Sequence, residues 1–145
     1  MPEKKTVERA KGDKAEGKAP TTQAGEFVRE EMEHIREGKH GARSPQQAIA
    51  IGLSKARRAG VDLPPPKKGT TSEATRKRAE RDLKKGHSGK QTKPDAKRSK
   101  ARLEALKREP RSAASKSALS KQAKQAAARR RTRGKVTSSR RARSR

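Results

Sequence analysis

The sequence predicts a chain that is mostly α and largely disordered: a short helical hairpin at about 22–60, plus marginal, isolated helices in a basic tail. Three observations predict this. The formal net charge is +26, from 42 Lys+Arg against 16 Asp+Glu in 145 residues. Leu, Ile, Val and Phe together number 14, well under the roughly one fifth below which a highly charged chain is expected to stay disordered. The large apolar residues are also concentrated, with nine of the fifteen beyond Met1 falling within residues 21–63. Ordering a residue costs roughly 1–2 kcal/mol of backbone entropy, and burying a large apolar side chain returns only about 1.5–3 kcal/mol. On this count a core is expected in 21–63 and nowhere else.

Residues 1–20 are highly charged and carry Gly12, Gly17 and Pro20, so they read as a flexible arm. Residues 21–63 read as an αα-hairpin module. In its first helix Val28, Met32 and Ile35 recur at i, i+4 and i+7, with Phe27 on the adjoining edge. Glu26, Glu30, Glu33 and Glu37 line the other face, and Gly38 is a stop signal. Ser44-Pro45-Gln46-Gln47 then forms a capping box with Pro at the first helical position. In the second helix Ile49 and Leu53 form an apolar stripe, and the small residues Ala48 and Gly52 allow close approach of the first. Gly60 suits a left-handed C-cap, with Val61 placed for its hydrophobic contact. Phe27, Val28, Met32, Ile35, Ile49, Leu53 and Val61 are the expected hairpin core.

Residues 64–145 read as a basic low-complexity tail with transient helices at about 72–85, 95–109 and 112–131. The charge divides with the chain: residues 1–63 carry a net +3 and residues 64–145 a net +23. A polycation of this density points to a polyanion, because neutralising phosphates releases condensed counterions whatever the base sequence. The candidate phosphate-binding residues are Lys67, Lys68, Arg76, Lys77, Arg78, Lys84, Lys85, Lys97, Arg98, Arg129, Arg130, Arg131, Arg140 and Arg141. Base stacking is not expected, because Phe27 is the one aromatic residue of the Phe/Tyr/Trp class and sits in an apolar helix stripe. A helix-turn-helix reading would use Gln46, Gln47, Lys55, Arg57 and Arg58, but its turn is longer than the usual 3–4 residues.

Other chemistries find little. There is no cysteine, and His34, His40 and His87 are the histidines. Glu30 and His34 stand at i, i+4, which reads as an ordinary helix surface, so no metal site is expected. No nucleophile–base set, phosphate loop or dinucleotide fingerprint is present, so an enzyme is not expected, nor a cofactor or small-molecule substrate. No apolar run approaches the 18 residues of a membrane span, and the N-terminus lacks the apolar stretch of a secretory signal. A cytoplasmic, nucleoid location follows as an expectation.

Residues 21–69, TTQAGEFVREEMEHIREGKHGARSPQQAIAIGLSKARRAGVDLPPPKKG, resemble a family of small, basic, uncharacterised bacterial proteins, some labelled "plasmid stabilisation protein". SEATRKRAERDL and SAASKSALSKQAKQAAARRR are similar to its later parts. The resemblance implies no mechanism and no site residues.

The sequence therefore predicts a non-enzymatic protein that binds DNA, more than RNA, without sequence preference. It would be nucleoid-associated or act in plasmid maintenance, with self-association through the hairpin. Two other readings stay open: an antitoxin-like adaptor whose hairpin binds a protein, and a basic protein associated with the ribosome and its RNA.

Overall fold

A computed structural model describes residues 2–90 and 93–143, with the side chains of residues 136–142 outside that description. Local chemistry sets the first elements. Lys4–Ala15 form α1, Pro20–Arg36 form α2 and Pro45–Arg58 form α3. Pro20 and Pro45 sit at the first helical positions, where no amide donor is needed. Ser44 Oγ accepts from the Gln47 amide at 3.2 Å, and the Gln47 side chain accepts from the Arg43 amide at 2.7 Å. At the far end Gly60 adopts φ +95°, and the Val61 amide reaches back to Ala56 O at 3.1 Å. This left-handed closure turns Val61 and Leu63 into the core.

The remaining elements are α4 (Glu73–His87), α5 (Ala96–Lys107), a 3-10 turn at Ser112–Ala114 and α6 (Lys116–Arg143). The expectation of a largely disordered chain is thereby overturned. Residues 4–15, placed in an arm, are a helix packed on α2, and α4 packs on α3. The helix expected at 72–85 runs to His87 and the one expected at 112–131 becomes α6, which continues to Arg143, while α5 stays within its expected bounds. Among the described residues, α5 and α6 contain no buried residue.

Two apolar clusters explain the difference. One joins Ala10 of α1, Ala24 and Phe27 of α2, Ala56 of α3, Val61 and Leu63, with Leu53 packed against it. The other joins Met32, Ile35, Ala42, Ala48, Ala113 and Ala114, with Val28, Ile49 and Leu119 against it. Most of these buried residues are alanines, which a tally of large apolar side chains passes over. Small side chains let helix axes come close, so backbone and polar groups supply much of the contact.

Polar groups fasten the tail to the hairpin. Arg111 donates to Ile35 O at 3.3 Å and to Arg36 O at 2.6 Å, capping the last carbonyls of α2. Arg36 Nε donates in return to Ala114 O at 3.1 Å. The Gly41 and Ala42 amides donate to Leu106 O and Pro110 O at 2.8 and 3.1 Å. On the other side Asp82 of α4 accepts from Ser54 at 2.7 Å and from Arg58 at 2.8 Å. The apolar faces of the hairpin are thus covered by its own chain. Leu103 of α5 is the large hydrophobic residue left exposed among the described ones.

Candidate nucleic-acid interface

Fixed ion pairs decide which cations a phosphate can reach. Most carboxylates of the first half find partners nearby, among them Arg9–Glu26, Lys18–Asp13, Arg29–Glu33, Lys39–Glu37 and Lys55–Glu31. In α4, Arg58 takes Asp82, and Arg76 takes both Glu73 and Glu80 at 2.6 Å. Among the described residues, none of Lys77, Arg78, Lys84, Lys85, Lys97, Arg98, Arg129, Arg130 and Arg131 makes an ion pair, and all are exposed.

Helical geometry sorts these cations. Ala79 and Asp82 of α4 are buried against α3. Lys77, Arg81, Lys84 and Lys85 recur at i, i+4, i+7 and i+8, an exposed stripe along the helix. Arg81 belongs to this stripe and stood outside the expected set, because it is a lone basic residue between two acids in the sequence. The signal that finds it is periodicity rather than clustering. Lys121 and Lys124 of α6 share a face with Arg131 on the same argument.

The fold brings together two groups far apart in sequence. The turn at 67–71 lies against α6, where Arg133 Nη2 donates to Thr70 O at 3.3 Å. Arg129 and Arg130 line an open cleft of about 240 Å³ beside Thr70. Lys67 and Lys68 are exposed on that same turn. A second open cleft of about 340 Å³ lies where α3 and α6 both begin, with Arg43 and Lys121 at its edge. Two helix N-termini there add the positive end of their dipoles to those side chains.

Other expected residues are drawn elsewhere. Arg76 faces two acids of its own helix. Its guanidinium holds the Glu73 carboxyl below its ordinary pKa, and Glu73, its principal partner, raises Arg76 in turn. Lys97 and Arg98 stand on exposed α5, apart from the packed helices. Arg140 and Arg141 lie outside the described side chains. Of the residues a helix-turn-helix would use, Lys55 is held by Glu31 and Arg58 by Asp82. Arg57 is buried, donating to Leu63 O at 3.2 Å and Pro64 O at 3.1 Å. Desolvation lowers its pKa, with the Asp82 charge opposing. Three of the five side chains a helix-turn-helix would use are therefore engaged within the fold, while Gln46 stays exposed.

Residues 11–68 match a family of unknown function (DUF6496). The matched stretch runs from within α1 through the hairpin to the turn at Lys68, and ends before the cationic α4, α5 and α6. No curated protein and no solved structure matches the chain. No helix among the described residues is long and apolar enough to cross a membrane.

Proposed function

We propose that the chain is a non-enzymatic DNA-binding protein that holds duplex phosphates with little sequence preference, on nucleoid or plasmid DNA. The observation that carries this reading is the set of exposed cations without ion pairs on α4 and α6, within a segment of net charge +23. Acidic residues neutralise the hairpin locally and leave the rest of the positive field facing solvent. The chain offers phosphate contacts and no stacking surface, since its one Phe is fully buried. The hairpin, with α1, serves as the scaffold on which the cationic helices are mounted.

The test is duplex binding by the full chain at several salt concentrations. With about eight phosphates neutralised, log K falls against log salt with a slope near −7. A flat response sinks the proposal. A preference for structured RNA over duplex DNA at equal salt replaces DNA with RNA as the polyanion.

A further inference from the structure

Sequence spacing puts Glu30 and His34 one helical turn apart and suggests no more than a surface. The fold removes that turn from water and adds two residues. Glu30 is 3% exposed, Glu31 1% and His40 8%. One potential ligand atom from each of Glu31, His34 and His40 lies within 4.8 Å of the others.

The hydrogen bonding of His40 is informative. Its Nδ1 lies 2.9 Å from Gly41 O, and a carbonyl can only accept, so Nδ1 carries a hydrogen and donates. In the neutral ring Nε2 then holds a lone pair. That lone pair faces Glu31 Oε2 at 3.3 Å. Two acceptors at this distance repel unless the ring takes a second proton or a cation lies between them. Glu31 Oε1 is already engaged by the Lys55 ammonium, which leaves Oε2 for another partner. Zinc binds imidazole nitrogen at about 2.0–2.1 Å and carboxylate oxygen at about 2.0–2.2 Å, and the edge of such a tetrahedron is about 3.4 Å.

His34 completes the set. Its ring stands edge-on to that of His40, with centroids 6.0 Å apart and planes at 83°. Its Nε2 is bonded to Glu3 Oε1 at 3.0 Å, which fixes the ring and leaves Nδ1 without a hydrogen bond among the described residues. With Nδ1 as the ligand atom, the Glu3 carboxylate on Nε2 would be the outer support usual for a metal-bound histidine. Glu30 Oε1 accepts the Glu3 amide at 2.7 Å, while its buried Oε2 has no hydrogen-bond partner. An unpartnered buried carboxylate oxygen is costly unless positive charge stands near it.

We propose that Glu31, His34 and His40 form a divalent transition-metal site, zinc being the ion its nitrogen and oxygen donors fit best. The ion would tie α2 to the 39–43 loop, the loop whose amides hold Leu106 and Pro110. It is therefore placed to stiffen the attachment of α6.

The test is zinc(II) titration of the metal-free full chain by calorimetry, in competition with a chelator of known affinity. Cobalt(II) absorption gives the geometry. One equivalent, a tetrahedral cobalt spectrum and a higher melting temperature with zinc are expected. His34→Gln and His40→Ala each weaken zinc by at least about 100-fold, the most that losing an outer-shell partner usually costs, while His87→Ala leaves binding unchanged. Circular dichroism of each metal-free variant separates a lost ligand from a lost fold. Should His40→Ala unfold, His34→Gln decides alone, because that side chain is partly exposed. No zinc uptake by the parent chain overturns the proposal, as does uptake that both variants leave intact or that depends on His87.

Discussion

Gly52 of α3 lies directly against Val28 of α2: a Cβ at position 52 would stand 2.7 Å from Val28 Cα and 2.9 Å from its amide nitrogen. Neither backbone atom can move without displacing its helix. The hairpin therefore has a spacing that only glycine permits at this crossing. Gly52→Ala is expected to lower stability by about 1–3 kcal/mol, the usual cost of overpacking. Gly25→Ala is the control, because nothing lies within 4 Å of a Cβ there. It should stabilise by about 0.5–1 kcal/mol, as alanine for glycine does in an open helical position. Urea midpoints for the two variants should move in opposite directions. Equal midpoints would show that the close approach is not a constraint.

Much of the hairpin was legible because its signals are local. Ser44 caps an amide three residues away, and Gly60 closes a turn whose acceptors lie within four residues. The packing of the tail was not legible in the same way. Arg111 finds Ile35 O across 76 residues, and no spacing rule announces such a bond. Ala113 and Ala114 are buried yet count for nothing in a tally of large apolar residues. Which cations are engaged was not legible for a related reason. Lys55, Arg57 and Arg58 look alike in sequence, and the fold gives one to Glu31, one to backbone carbonyls and one to Asp82. A cation's availability depends on its tertiary partners, which the sequence does not show.

Arg111 should control whether α6 stays attached. Arg111→Ala removes the donors to Ile35 O and Arg36 O, each a charge-assisted bond of about 1.5–3 kcal/mol. Faster amide exchange is expected in residues 106–120, with α1 and α4 unchanged. Uniform acceleration through the whole chain would mean that the tail and hairpin unfold as one unit.

The N-terminal helix is expected to be acid-sensitive. Glu3 bonds to His34 and neighbours Lys39, and the His34 bond is the main cause holding its carboxyl below the ordinary value of 4.5. A depressed folded-state pKa contributes stability that is present above the unfolded value and lost as pH falls through the folded one. The attachment of α1 should therefore be intact above pH 4.5 and weaken below it. Glu3→Gln should reduce that pH dependence. Nuclear magnetic resonance of the Thr6 and Ala10 signals reads it directly, since both residues are buried only while α1 is docked. An unchanged acid profile in Glu3→Gln would place the sensitivity elsewhere, with Asp62 next, held low first by His87 and then by Lys14.

Two arginines of the same helix separate the proposed interface from charge in general. Arg81 is exposed on the stripe with Lys77, Lys84 and Lys85, and makes no ion pair among the described residues. Arg76 is bound by Glu73 and Glu80 at 2.6 Å. A phosphate reaching Arg76 must first displace two carboxylates, so little is gained on binding. Arg81→Ala should weaken duplex binding uniformly across sequences and reduce the salt slope by about one. Lys84→Ala should do the same, and the pair should be close to additive because each contact is a separate counterion release. Arg76→Ala removes the same formal charge but should leave the slope nearly unchanged, with its Glu73 and Glu80 partners left free to repel phosphate slightly. Titrations of the three variants against one duplex at several salt concentrations read all of this. If Arg76→Ala and Arg81→Ala lower the slope equally, net charge alone governs binding and the α4 stripe has no special part in it.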